Sequence, residues 1–161
     1  MVLDDHHKKK PIITMPTHSE TRQLPYSAQQ MYDLVADVAL YSQFLPWCAA
    51  ARIRSETRVE NSVVLDADLV ISFKLFRERF GSRVTLFPDD MKIDTEYLDG
   101  PFKYMKSNWA FEDTESGCSV IFYVDFEFKN VILQGIIGLV FNESMQRVVR
   151  AFEARANDLY G

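Results

Sequence analysis

Apolar and polar residues alternate along this chain with two different periods. Between Ser27 and Leu45 the apolar positions recur every three or four residues, so that Met31, Leu34, Val35 and Val38 share one helical face. Ser27 stands three residues before Gln30, the spacing of a capping box, which predicts the helix start. A second, shorter helical turn carries Tyr41 and Phe44 and is predicted to stop near Leu45, because Pro46 disfavours helical geometry in the residue before it. Ahead of both, residues 18 to 24 read as a short opening strand ended by Pro25.

From Ala51 to Phe128 the period becomes two. Turn signals at Glu60-Asn61-Ser62, Pro88-Asp89-Asp90, Asp99-Gly100-Pro101 and Glu115-Ser116-Gly117 predict a run of about six antiparallel strands. The clearest puts Val120, Phe122, Val124, Phe126 and Phe128 on one face, with Ile121, Tyr123, Asp125 and Glu127 on the other. Ala67, Leu69, Ile71 and Phe73 alternate likewise. After a bend near Lys74 to Arg77 the phase shifts to Phe80, Val84 and Leu86, and Trp109 and Phe111 continue the theme.

The chain ends on a helix. Residues 131 to 141 are apolar except for Gln134 and two glycines, and Phe141, Met145, Val148, Val149, Phe152, Ala156 and Leu159 follow at helical intervals. Gly135 and Gly138 each weaken a helix interior by about 1 kcal/mol relative to Ala, so the helix starts near Val131 with a kink or near Phe141 after a loop. The apolar run is too short to cross a bilayer, which needs about 20 residues. An antiparallel sheet this aromatic on its inner face needs a cover, and one long helix laid across it encloses a space.

Composition narrows what that space can do. At 161 residues the chain is one ordinary domain, expected over 16–161 behind a flexible lead of residues 1–15. Net charge −5 argues against the broad basic field of a nucleic-acid binder. All three histidines (His6, His7, His18) lie near the N-terminus, which leaves the rest of the domain without an imidazole for a metal site or for acid–base work. Cys48 and Cys118 lack paired CxxC spacing and read as reduced thiols. The first residues have neither a secretory core nor a transit-peptide composition, and Met15 is an alternative start. No catalytic residue and no metal ligand is assigned.

In this order the elements resemble the helix-grip (START-like, Bet v 1-like) fold, an α+β architecture. It wraps a curved antiparallel sheet of six or seven strands around a long C-terminal helix, with two short helices after the first strand. Within it the chain is similar to the group of coenzyme Q-binding proteins and their bacterial RatA relatives. The resemblance rests on Leu24-Pro25-Tyr26-Ser27; on Asp37-Val38, Tyr41 and Phe44-Leu45-Pro46-Trp47-Cys48; and on Gly100-Pro101-Phe102 with Trp109 and Phe111. It continues through Phe126-Glu127-Phe128-Lys129-Asn130 and Phe152-Glu153-Ala154-Arg155-Ala156 to Tyr160-Gly161. It covers about residues 18 to 161.

The resemblance implies a carrier of ubiquinone or a related polyprenyl lipid, with no turnover of its own, that supports respiration. It also implies a cytoplasmic protein in peripheral contact with the inner face of the respiratory membrane. The residues themselves show only inward apolar surface fit to line a pocket. The candidate lining is Tyr41, Phe44, Leu45, Pro46 and Trp47; Leu69, Ile71, Phe73, Phe80 and Val84; Phe102, Trp109 and Phe111; Phe122, Val124 and Phe126; and Val140, Met145, Val148 and Phe152. Tyr41, Tyr104, Ser107 and Asn108 are candidate donors to quinone oxygens.

Several segments carry two readings. Trp47 with Phe44, Leu45 and Pro46 is either a lipid-touching pocket mouth or a helix end packed in the core. Residues 131 to 141 are a membrane-docking or lid segment, or else core packing or a dimer contact. Lys103, Lys106, Arg147 and Arg150 suit anionic headgroups or simple solvation. Asp125 and Glu127 read as solvent-exposed, and Glu78 as paired with its arginine neighbours; a cyclase-like enzyme would instead use such carboxylates for acid–base chemistry. Cys48 reads as a buried, inert thiol. Two alternatives to a carrier remain: a ribosome-associated protein acting on the large subunit, as in a toxin–antitoxin pair, and an enzyme of the polyketide cyclase type.

Overall fold

A computed structural model describes residues 17–161. The expected lead of residues 1–15 and the choice between Met1 and Met15 lie outside the described residues. Strand β1 (Thr17–Leu24) opens the fold, followed by helix α1 (Ala28–Ala36) and a 3-10 turn (Val38–Gln43). Six strands follow: β2 (Cys48–Val59), β3 (Ser62–Phe73), β4 (Phe76–Phe87), β5 (Lys92–Asp99), β6 (Phe102–Thr114) and β7 (Gly117–Phe128). Helix α2 (Val131–Tyr160) closes the chain. This is the helix-grip fold. All seven strands form one antiparallel sheet in the order β1-β7-β6-β5-β4-β3-β2.

Local chemistry sets the boundaries. The Ser27 hydroxyl accepts from the Gln30 backbone N–H and the Gln30 side chain returns the bond to the Ser27 N–H, a complete capping box. The expected bend near Lys74 is a tight hairpin, with Phe73 paired to Phe76 and Lys74 in the left-handed region at φ 54°. Gly100 takes φ 136° in the β5–β6 turn, where a side chain would also strike the Phe80 backbone, so only glycine fits there.

Helix α2 settles the choice left open by the two glycines. It starts at Val131, where the Asn130 side chain accepts from the Leu133 N–H as N-cap, and it runs to Tyr160 with one break at Val140 (φ −124°, ψ 15°). Neither Gly135 nor Gly138 is the break. Gln134, the one polar side chain of the apolar run, accepts from the Phe128 N–H and so caps the end of β7.

The sheet's inner face and α2 enclose the core, which divides in two. At one end Phe152 is the hub, its ring 5.4 Å from Tyr41, 5.2 Å from Phe44 and 5.1 Å from Trp109. Trp109 lies 4.4 Å from Phe122 and 6.1 Å from Phe111. Trp109, Phe111, Phe122 and Phe152 are buried there, with Tyr41 and Phe44 half-buried against them, and Val84 and Val124 are buried elsewhere on the inner face. The opposite end is not filled.

Candidate functional site

The unfilled end holds a cavity of about 230 Å³ between the sheet and α2, which lines it from Leu133 to Val148 on both sides of the break. Antiparallel pairing fixes which segments meet there. Cys48 at the start of β2 faces Ile71, Phe73 faces Phe76, Gly81 faces Asp99 and Phe102 faces Phe128. The start of β2, the β3–β4 hairpin, the β5–β6 turn and the β7–α2 junction therefore share one end of the sheet, and the cavity opens among them.

Of the sequence candidates, Leu45, Pro46 and Trp47 line this cavity from the loop, and Leu69, Ile71, Phe73 and Phe80 from β3 and β4. Phe102, Phe126, Met145 and Val148 complete the group. Tyr41, Phe44, Trp109, Phe111, Phe122 and Phe152 do not line it, because they form the aromatic plug at the other end. Val84 and Val124 belong to the packed core. Val140 sits at the helix break, exposed.

The cavity also takes residues absent from that set. Phe76 and Glu78 precede Phe80 in two-residue steps on β4, and Leu133, Ile137, Ser144 and Phe128 come from α2 and the end of β7. The spacing of Leu133, Ile137 and Phe141 in steps of four was the available signal. It was obscured because the whole run is apolar.

Trp47 is half-buried and takes φ 65°, a rare conformation for a bulky residue. It is fastened there by the Ser72 N–H donating to its carbonyl at 2.8 Å, by Phe73 edge-on at 5.9 Å and by the Arg147 guanidinium 5.3 Å above its ring. It is thus a fixed part of the mouth and not a free lipid anchor. Cys48 beside it is half-buried, and burial pushes its thiol pKa up, away from the nucleophilic thiolate form.

The four candidate donors to a quinone lie elsewhere. Tyr41 donates its hydroxyl to the Val35 carbonyl, and burial raises its pKa. Asn108 donates to Asp94 at 2.9 Å on the outer face, and Ser107 does not reach the cavity wall. Tyr104 packs beside Asp125 on the outer face, where burial, followed by the carboxylate charge, pushes its pKa up to about 12.

The carboxylates also depart from expectation. Asp125 and Glu127 are half-buried, with one Asp125 oxygen sealed from solvent without a partner and Glu127 bonded to Lys103 at 2.9 Å. Their neighbours on β1 and β6 screen both sides of β7, which the alternation of one strand does not reveal. Glu78 is not paired with Arg79, which reaches Asp68 at 2.7 Å and Asp99 at 3.0 Å on the opposite face of the sheet.

The one histidine among the described residues is structural. His18 is 8% exposed on the inner face of β1, 3.2 Å from Asn142 of α2 and 2.8 Å from Glu20. Glu20 also accepts from Arg22, and Arg22 reaches Glu153 at 3.0 Å. This polar clamp ties β1 to α2 just past the helix break, away from the cavity. Among the described residues no cluster of three or more His, Cys, Asp or Glu side chains is placed to hold a metal ion. No described helix is long and apolar enough to cross a membrane.

Comparison with known proteins agrees with this geometry. Residues 24–153 match the family described as "Polyketide cyclase / dehydrase and lipid transport". The chain is 39% identical over 148 residues to the ribosome association toxin RatA of Rickettsia prowazekii, covering 90% of this chain and 99% of that one. It is 37% identical to RatA of Escherichia coli K12, over 92% of this chain and 91% of the relative. The mitochondrial coenzyme Q-binding protein COQ10 homolog B of Xenopus laevis is 33% identical over 89% of this chain, which spans 59% of that protein. Among solved structures, an 18 kDa protein of Caulobacter crescentus superposes with a TM-score of 0.77 at 32% identity, over 91% of this chain and 99% of the other. An aromatase/cyclase from Streptomyces shares the fold at a TM-score of 0.74 and 16% identity, over 89% and 94% of the two chains. The chain therefore belongs to the polyketide cyclase and lipid-transport family of START-like proteins, in the group that holds RatA and the coenzyme Q-binding proteins.

Proposed function

We propose that this protein binds a prenyl quinone such as ubiquinone and carries or presents it to the respiratory membrane, without catalysing a reaction. The observation that carries this reading is the cavity: aromatic and aliphatic on nearly every side, plugged by packed rings at one end and open at the other. At about 230 Å³ it is smaller than the ~300–1,000 Å³ of ordinary ligand pockets. It has room for a ring or a short stretch of tail, and the rest of a prenyl chain leaves through the mouth. Similarity to a coenzyme Q-binding protein supports a quinone as the ligand.

The rim of the mouth supports a membrane encounter. Leu75 at the β3–β4 hairpin tip is 100% exposed, and Val131, Ile132 and Leu139 on the outer side of α2 are 83%, 72% and 87% exposed. Such a patch, contiguous with an apolar cavity, fits insertion into a bilayer surface. Lys74 and Lys129, both exposed beside it, suit anionic headgroups.

The test is organic extraction of protein purified from a quinone-making host, with mass spectrometry of the extract. A stoichiometric prenyl quinone is expected in the wild type and a diminished amount in Trp47→Ala and Val148→Glu. An empty wild-type extract, with no uptake from quinone-loaded vesicles, would remove the reading.

A second reading, association with the large ribosomal subunit, is favoured by the RatA relatives. The outer face offers it a positive patch, since the single buried carboxylate of Asp68 is surrounded by Arg52 at 3.0 Å, Arg54 at 3.1 Å and Arg79 at 2.7 Å. Salt-sensitive co-sedimentation with large subunits, lost in Arg52→Glu, is the result expected of that reading.

A further inference from the structure

The cavity wall has one charged side chain and one hydroxyl. Alternation along β4 puts Glu78 on the inner face between Phe76 and Phe80, opposite Ile71 of β3. Arg79, the neighbour that would neutralise it, is spent on Asp68 and Asp99 across the sheet. Ser144 is brought to the wall by α2 and is only 7% exposed. A helical serine ordinarily bonds back to the carbonyl four residues earlier. Here that residue is Val140, where the backbone leaves helical geometry.

Polar groups in the wall of an apolar pocket fix a ligand's orientation; here Ser144 is buried in the wall and Glu78 stands exposed at its open side. A carboxylate only accepts hydrogen bonds, and so does a quinone carbonyl, so the oxidised ring brings Glu78 nothing but opposed lone pairs. A hydroquinone hydroxyl donates, and its bond to a carboxylate is charge-assisted, about twice as strong as a neutral one. The Ser144 hydroxyl both donates and accepts and so serves either form.

We propose that this cavity selects the reduced, hydroxyl-bearing ring: Glu78 accepts a hydrogen bond from one hydroquinone O–H and Ser144 holds a second ring oxygen. The inference rests on the prenyl-quinone reading and adds the redox form to it. The expected preference is at least tenfold for hydroquinone over quinone. By linkage the midpoint potential of the bound couple then lies about 30 mV above that of the free couple for each tenfold.

The experiment is anaerobic calorimetric titration of the full chain with a decyl-tailed benzoquinone and, separately, its hydroquinone. The wild type is expected to bind the hydroquinone at least tenfold more tightly. Glu78→Gln is expected to bring the two affinities within about threefold by weakening the reduced form, with the oxidised form unchanged or tighter. Ser144→Ala is expected to weaken both forms. Equal affinities in the wild type, or a preference untouched in a folded Glu78→Gln, would overturn the selection while leaving the carrier reading in place. Failure of either form to bind would remove both. Circular dichroism of each variant separates lost binding from lost fold.

Discussion

The rim of the cavity makes a quantitative prediction about membranes. Ile132 and Leu139 point away from the core, so replacing both with Ser leaves the packed face of α2 intact while removing two of the four exposed aliphatic side chains at the mouth. Full burial of such a side chain is worth about 1.5–3 kcal/mol. Taking the lower figure for each, because insertion is shallow, the double variant loses about 3 kcal/mol of docking energy. At 1.4 kcal/mol per decade that is about a hundredfold in the vesicle partition coefficient. Lys74 and Lys129 add about 1 kcal/mol each near an anionic surface, so vesicles of neutral lipid should bind the wild type some thirtyfold less well than anionic ones at low salt. The assay is co-sedimentation with extruded vesicles over a lipid titration, with thermal melting as the control for fold. A double variant that partitions within about twofold of the wild type would refute the reasoning and return residues 131 to 139 to the role of an ordinary exposed helix face.

Two further outcomes follow from the packed end. Phe152→Ala empties the hub of the aromatic plug without touching the cavity, and is expected to cost about 3–5 kcal/mol, seen as a fall of roughly 10 °C in melting temperature. Glu20 sets a pH dependence: burial opposes its ionisation, but hydrogen bonds from His18 and Arg22 outweigh burial and hold its pKa below the ordinary 4.5. A carboxylate depressed in the folded state stabilises fully above its unfolded pKa and loses that contribution as pH falls through the folded one. Denaturant melts from about pH 6 down to 3 should therefore show a steeper loss in the wild type than in Glu20→Gln, and parallel curves would remove the clamp's electrostatic role.

Most of the architecture was legible because each element announced itself by period. The capping box at Ser27 and the alternation from Val120 to Phe128 describe real local geometry, and both elements are where the pattern puts them. The site was harder, because inward is not the same as cavity-lining. Trp109, Phe111, Phe122 and Phe152 face the same interior as Phe73 and Phe102, and sequence cannot say which of them touch one another and which leave space. That depends on how α2 crosses the sheet. The carboxylates departed for a related reason: Arg79 is drawn across strands to Asp68 and Asp99 and so does not pair with Glu78, and Tyr104 and Lys103 of β6 cover Asp125 and Glu127, whereas cross-strand register is not written in one strand. His18 was read only as a residue of the opening strand near the N-terminus, and the pairing of β1 with β7 that carries it into the core is a long-range feature that local pattern does not show.

The break at Val140 gives the two halves of α2 different duties. Past it the helix is fastened along its length: His18 to Asn142, Arg22 to Glu153, Tyr26 to Asn157, and Tyr160 to the Gln30 carbonyl. Before it the polar ties are two, the Asn130 cap and the bond from the Phe128 N–H to Gln134, both at the first turn. The rest of residues 131 to 139 is held by Leu133 and Ile137 resting over the cavity. A ligand that enters replaces those contacts with its own apolar atoms, so the energy of lifting this half is largely returned on binding. Lifting the other half would instead break the bonds of His18 to Asn142, Arg22 to Glu153, Tyr26 to Asn157 and Tyr160 to the Gln30 carbonyl, polar contacts that an apolar tail does not replace. On the carrier reading proposed above, entry is expected beneath residues 131 to 139, on the side where the exposed aliphatic rim faces outward.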